Sequence, residues 1–168
     1  MLALGIDPGT ATTGFALVSQ KGNALTAIDY GIISTSPTDP FPVRLNIIYH
    51  RLMELMTQYR PDSTAVEQLF FNRNVTTAIH VGEARGIVLL CSAQHEIPVY
   101  EYTPPQVKLA VTGYGKADKK QVQQMVKTLL HLEKIPKPDD AADALAIAIC
   151  YLHSAQWGVA KPSPKKSI

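Results

Sequence analysis

The spacing of apolar residues changes along this 168-residue chain, and the change limits the folds that it can adopt. Three short apolar runs, at residues 2–6, 14–18 and 30–34, are separated by turn-forming residues, which predicts a meander of three strands. From residue 43 onward, helical spacing alternates with short apolar runs. A meander followed by such an alternation predicts an α/β fold with one mixed sheet and helices on its faces.

The second part of the chain contains the predicted helices. They cover residues 43–59, 75–94, 105–112, 119–132 and 139–156, with strands at 64–67 and 99–102. The Pro-rich stretch 36–42 predicts a connection, because prolines are poorly tolerated inside regular elements. No linker divides the chain, so we expect one domain over residues 1–157. A basic, disordered tail is expected over residues 158–168.

Composition is that of a globular protein, with 46% apolar and 18% charged residues, which excludes a disordered chain. Cys91 and Cys150 each lie in an apolar helical pattern, which predicts buried free thiols. The N-terminal segment has no basic leader, and no apolar run approaches the ~20 residues that span a bilayer. We therefore expect a soluble, cytoplasmic protein.

The formal net charge of +2 conceals two halves of opposite charge. Residues 1–103 contain 6 basic and 9 acidic side chains, whereas residues 104–168 contain 10 basic and 5 acidic ones. Six of the lysines and only two acids lie between residues 105 and 134. This asymmetry favours an anionic partner for the second half, although a solvated helix face would have the same composition.

Four carboxylates stand within apolar sequence. Asp7 closes the first strand, Glu67 ends the strand TAVE, and Asp140 and Asp143 lie one turn apart on one helix face, among small residues that leave room beside them. A buried carboxylate must protonate, pair or bind a cation. If the four converge, hard oxygen ligands of this kind select Mg²⁺ or Mn²⁺, and two such ions can act on a phosphodiester.

Each of these carboxylates also has an ordinary interpretation. Asp7 precedes Pro-Gly and suits a turn, while Asp139 and Asp140 suit the first turn of a helix. The strand-end glutamate could instead form an ion pair with Arg73 or Arg85. Only the combination of the four points to a shared site.

Four motifs in the same order resemble the RuvC family, the bacterial Holliday-junction resolvases of the ribonuclease H-like fold. They are GIDPGTATTGFALV, AVEQLFF, QVK at residues 106–108 and DAADALAIA. The resemblance covers residues 1 to about 155. It implies a mixed five-stranded sheet, made of a three-stranded antiparallel meander plus parallel strands and flanked by helices. It also implies an endonuclease of recombination and repair that nicks two strands symmetrically and leaves 5′-phosphate and 3′-hydroxyl ends.

The resemblance further implies the residues of the site. Its catalytic, metal-binding carboxylates match Asp7, Glu67, Asp140 and Asp143. The implied cofactor is Mg²⁺, two ions per site, for which Mn²⁺ can substitute. Asp139 is then the neighbouring residue that caps the helix rather than a ligand.

DNA-binding residues are implied by the same resemblance. Lys108 and Lys119 match lysines that lie close to the cleaved strand, and Phe70 matches an aromatic residue that stacks on a base. Paired phenylalanines beside a strand end are also typical of a core, and Phe71 has no assigned role. The predicted DNA-binding residues are Phe70, Arg73, Lys108, Lys116, Lys119 and Lys120.

The implied partners are a four-way DNA junction, a second copy of the chain and the RuvA and RuvB branch-migration complex. Ala78, Gly82 and Gly86 recur every four residues and would suit close packing in a homodimer. Packing of the same stripe on its own sheet is an equal alternative.

Three other functions share some of these features. The segment D-x-G-T-x-x-T-G also resembles the phosphate loop of actin-like ATPases and sugar kinases, but those proteins need two copies of the domain and only one is present. The other two are a ribonuclease H-like nuclease that acts on RNA-containing substrates and a catalytically silent junction-binding protein.

Overall fold

The computed structural model describes residues 1–68, 75–156 and 158–160. Within these residues the chain forms one five-stranded sheet in the order β3-β2-β1-β4-β5. The elements, in chain order, are β1 (Leu2–Asp7), β2 (Thr12–Lys21), β3 (Ala24–Ser34), α1 (Phe41–Tyr59), β4 (Ser63–Glu67), α2 (Val75–Gln94), β5 (Val99–Tyr102), α3 (Pro104–Thr112), α4 (Lys119–Leu129) and α5 (Asp139–Gln156). Strands β1 to β3 are antiparallel, whereas β1, β4 and β5 are parallel. The predicted mixed sheet is confirmed.

Successive side chains of each strand point to opposite faces of the sheet, so the core is divided between the two faces. In β1, Leu4 and Ile6 pack with residues of α1 and α2, while Ala3 belongs to the core formed with α3, α4 and α5. Both cores consist mainly of buried aliphatic side chains, so each face of the sheet is covered. Helix α5 lies across β1 and β2 and is the most deeply buried helix, since almost every residue from Ala141 to Leu152 is buried.

Small residues let α5 approach the sheet closely. A Cβ atom on Gly5 would lie 2.2 Å from the carbonyl oxygen of Ala144, a distance that no side chain tolerates. Ala144 and Ala148 are fully buried, and both lie next to Gly5. These two small residues of α5 therefore serve helix–sheet packing.

Several element boundaries differ from the prediction. Strand β3 begins at Ala24 rather than residue 30, and α4 ends at Leu129 rather than residue 132. Helix α1 begins at Phe41, so the prediction of a connection through residue 42 is wrong there, because proline is tolerated in the first turn of a helix. The two cysteines are buried free thiols, as predicted.

Residues 161–168 of the predicted basic tail lie outside the described residues, and α5, the last helix described, ends at Gln156. None of the described helices has the length and apolarity needed to cross a membrane.

Candidate active site

Two adjacent strands place carboxylates at one edge of the sheet. Asp7 is the last residue of β1 and Glu67 is the last residue of β4. The two strands run parallel with Ile6 opposite Val66, so both carboxylates follow at the same end of the sheet. The predicted convergence of the strand-end acids is therefore a consequence of strand order and register.

The first turn of α5 brings the other two carboxylates to this edge. Asp7 pairs with Gly14 in the β1–β2 ladder, and a Cβ atom on Gly14 would lie 2.1 Å from the carbonyl oxygen of Asp140. The helix therefore begins directly above the end of β1, with Asp140 and Asp143 one turn apart. Glycine at position 14 makes this approach possible, a requirement that the sequence motif alone did not reveal.

Electrostatic coupling links all four carboxylates. Burial, followed by the charges of Asp143, Glu67 and Asp140, raises the pKa of Asp7 to about 7, while Lys119 opposes the shift. Burial and the charge of Asp143 also raise the pKa of Glu67, against the effect of Lys108. Four negative charges in this space repel one another, so added positive charge would stabilise their ionised forms.

The pKa of Asp143 is raised by burial, and contacts with Lys119 act in the opposite direction. Lys119 Nζ lies 3.1 Å from Asp143 Oδ2 and 3.4 Å from Asp139 Oδ2. For Lys119 itself, partial burial lowers the pKa, but the hydrogen bond and charge of Asp143 outweigh it and leave the pKa raised. A lysine thus supplies part of the positive charge that the acidic edge requires.

A cavity of about 260 Å³ opens beside these groups. Its lining combines charged groups with apolar residues of α3, α4 and α5. Its lining consists of Asp7, Glu67, Pro104, Val107, Lys108, Lys119, Val122, Asp143, Ala146 and Ile147. Asp140 does not line the cavity, although its charge reaches Asp7.

Capping boxes fix the helices that carry the two cavity lysines. Thr103 and Gln106 form the box at the start of α3, which positions Lys108. Asp118 and Gln121 form the corresponding box at the start of α4, where Lys119 is the first helical residue. Such reciprocal hydrogen bonds set where a helix begins, so both lysines have a defined backbone position at the cavity.

Two other predicted DNA-binding residues, Lys116 and Lys120, do not line this cavity. Lys120 lines a separate open groove of about 760 Å³ together with Tyr114, and Lys116 is exposed in the turn between α3 and α4. Phe70 and Arg73 lie outside the described residues. The structure therefore brings two of the four described lysines to the carboxylates.

Of the two arginines that could pair with Glu67, Arg73 lies outside the described residues, and Arg85 has another partner. Arg85 pairs with Glu101, at 2.7 Å between Nη2 and Oε1, rather than with the strand-end glutamate. Asp139, predicted to cap α5, directs its carboxylate to side chains: Gln123 and Lys137 each donate to Oδ1 at 3.0 Å. These contacts depend on tertiary packing, and no sequence motif indicated them.

Within the described residues, no three His, Cys, Asp or Glu side chains are grouped closely enough to hold one metal ion. The donor set still fits a hard divalent cation, because Asp7, Glu67, Asp140 and Asp143 offer only carboxylate oxygens. Burial and neighbouring charges raise the pKa values of Asp7, Glu67 and Asp143. Positive charge from a bound cation would relieve the repulsion among these carboxylates.

A mixed sheet with carboxylates at two adjacent strand ends, and two more on a helix packed above them, defines a ribonuclease H-like nuclease. The family model described as crossover junction endodeoxyribonuclease RuvC matches residues 3–151. The chain belongs to the RuvC family. Membership in this family implies a nuclease that depends on a divalent metal.

Relatives and solved structures agree with this assignment. The crossover junction endodeoxyribonuclease RuvC of Desulfitobacterium hafniense is 60% identical over 154 residues, which cover 92% of this chain and 93% of that protein. The protein of the same name from Alkaliphilus metalliredigens is 57% identical over 157 residues, or 94% and 96% of the two chains. The structure of T. thermophilus RuvC in complex with Holliday junction substrate superposes with a TM-score of 0.93 at 40% identity, covering 97% of this chain and 99% of that one. The predicted family, fold and endonuclease activity are confirmed.

Proposed function

We propose that the chain resolves four-way DNA junctions by paired, symmetric nicks in two strands, leaving 5′-phosphate and 3′-hydroxyl ends. The observation that carries this proposal is the coupling of Asp7 to three other carboxylates at the edge of one cavity. The proposed substrate follows from family membership, because the structure of T. thermophilus RuvC contains Holliday junction substrate. The proposed location is the cytoplasm.

The metal-binding residues in this proposal are Asp7, Glu67, Asp140 and Asp143, with two Mg²⁺ per site and Mn²⁺ as a substitute. When bound, the ions would activate the attacking water and stabilise the leaving 3′ oxygen. The four carboxylates would hold and orient the ions, and Val107, Val122 and Ile147 line the same cavity with apolar side chains. Metal binding should also depend on pH, because a carboxylate must be ionised to bind and the pKa of Asp7 is raised.

Lys108 and Lys119 contact the phosphate backbone of the cleaved strand in this proposal. Both line the cavity, and Lys119 Nζ already stands 3.1 Å from Asp143. An ammonium at this position can neutralise charge on the phosphate, and it contributes to affinity in a salt-dependent way. Lys116 and Lys120 would contact DNA outside the cavity, with Phe70 and Arg73 as further proposed contacts.

A homodimer would place two such sites on one junction. Helix α2 supports it, because Ile79 and Leu90 are each about half exposed and a Cβ atom on Gly86 would meet nothing within 4 Å. These three residues lie on one side of the helix, so Gly86 does not pack on its own sheet. Cooperation with RuvA and RuvB is proposed by family membership alone.

The proposed activity is tested by comparing substrates side by side. A four-way junction, a linear duplex and an RNA–DNA hybrid are incubated with the protein and Mg²⁺, and the nicks are mapped on each strand. Symmetric nicks confined to the junction support the proposal. Preferential cleavage of the hybrid over the junction would favour a nuclease that acts on RNA-containing substrates. Junction binding without cleavage would favour a catalytically silent binding protein.

A further inference from the structure

Asp139 stands beside the acidic cluster, yet its carboxylate has its own set of partners. Oδ1 accepts hydrogen bonds from Gln123 Nε2 and Lys137 Nζ, each at 3.0 Å. Oδ2 lies 3.4 Å from Lys119 Nζ. The carboxylate therefore joins α4 to the start of α5, and these contacts leave its second oxygen directed at a lysine of the cavity.

Gln123 fixes this carboxylate from a buried position. This polar residue is only 6% exposed, and it lies among the apolar core residues Val122 and Val126. A buried amide is costly unless it forms hydrogen bonds, and its partner here is Asp139. Gln123 follows Lys119 by one helical turn, so both side chains project from α4 towards the first turn of α5.

Lys119 lies between two carboxylates, of which only one is a proposed metal ligand. Its ammonium is 3.1 Å from Asp143, a proposed metal ligand, and 3.4 Å from Asp139, which is not one. A cation bound by Asp143 would weaken the first contact. The second contact would remain and would keep a flexible, half-exposed lysine at the edge of the cavity.

We infer that Asp139, held by Gln123, is a positioning residue that keeps the Lys119 ammonium where it meets the scissile phosphate. The inference rests on the proposed function, in which Lys119 contacts that phosphate. It assigns roles to two residues that bind neither metal nor DNA.

The first test separates binding from turnover in Asp139→Asn. Junction affinity in EDTA should remain within about twofold of wild type, since Lys119 keeps its charge. Single-turnover cleavage should fall about tenfold, the loss expected for one charge-assisted hydrogen bond. Asp139→Glu, which retains the carboxylate, should recover most of the rate. Equal loss of affinity and rate, or a wild-type rate in Asp139→Asn, would overturn the inference.

The second test asks whether Asp139 acts through Lys119. In a Lys119→Ala background, Asp139→Asn should cause no further loss, because coupled residues are not additive. The same tenfold loss in both backgrounds would overturn the positioning role. If Lys119→Ala itself cleaves at the wild-type rate, the phosphate contact in the proposed function is wrong, and with it the reason for positioning.

A third measurement does not depend on cleavage. Nitrogen-15 relaxation of the Lys119 ammonium should show greater mobility in Asp139→Asn and in Gln123→Leu than in wild type. Gln124→Leu is the matched control, because it changes the same residue type at an exposed position of α4. Unchanged mobility of Lys119 in both test variants would overturn the inference even if the protein cleaved no junction.

Discussion

The carbonyl oxygen of Asp140 lies directly above Gly14, where a Cβ atom would approach it to 2.1 Å. Gly14 is also the ladder partner of Asp7, so one contact sets the distance between a strand-end carboxylate and the helix that carries two others. The geometry of the acidic site therefore depends on a residue without a side chain, at a position that carries no charge and binds no ligand.

Gly14→Ala should inactivate the enzyme without unfolding the sheet. The added methyl group forces the start of α5 away from β2, and a displacement of about 1 Å at a catalytic site costs on the order of 10²-fold in rate. Junction cleavage measures the loss, and circular dichroism with thermal unfolding shows whether the fold persists. Wild-type cleavage by this variant would mean that the contact does not set the site.

The stability of the metal-free protein should fall as the pH rises from about 4 to 7. The pKa of Asp7 is raised from 3.8 to about 7 in the folded state, so the protonated form is favoured by folding. Its contribution is complete below the unfolded value and is lost as the pH passes the folded one. A pKa difference of one corresponds to about 1.4 kcal/mol, which limits the loss to about 4 kcal/mol.

Urea unfolding in EDTA at several pH values measures this dependence. Asp7→Asn should flatten the curve over the same interval, whereas Asp39→Asn, in the loop before α1, should leave it unchanged. Parallel curves for wild type and Asp7→Asn would show that Asp7 does not titrate as described.

Lys119→Ala should reduce cleavage and lower the salt dependence of junction binding. Loss of one phosphate contact reduces the slope of log affinity against log salt concentration by about 1. Lys21→Ala is the matched control, because this exposed lysine ends β2, several residues beyond Gly14, which pairs with Asp7. An unchanged salt slope together with unchanged cleavage in Lys119→Ala would exclude a direct phosphate contact.

Leu90→Lys should convert the proposed dimer into a monomer. Leu90 is 49% exposed on the same side of α2 as Gly86, and a charge there would be buried in an interface at high cost. Sedimentation velocity measures the mass. Ile28→Lys, at an equally exposed apolar position of β3, should not change it. A dimer that survives Leu90→Lys would exclude this face as the interface.

The sequence predicted every strand and helix, because the apolar spacing of each is distinct. It missed the first half of β3, where exposed and buried residues alternate without a strong apolar run. It also missed the start of α1, where Pro42 was interpreted as excluding a helix. In both places, tertiary pairing or a tolerated first-turn proline outweighed the local pattern.

The candidate site was predictable in part. Asp7 and Glu67 could be placed at strand ends, and Asp140 and Asp143 on one helix face, from spacing and family resemblance. The partners of Asp139 could not, since Lys119 and Gln123 reach it from a separate helix. Such contacts follow from how α4 and α5 pack, which no local pattern encodes.

In the proposed function, the four coupled carboxylates perform cleavage rather than stabilise the fold. The most direct test of this role measures junction binding and Mg²⁺-dependent cleavage by Asp7→Asn, with Asp39→Asn as the control. Asp7→Asn should fold, bind the junction as wild type does and make no nicks. Cleavage by Asp7→Asn at the wild-type rate would contradict this role.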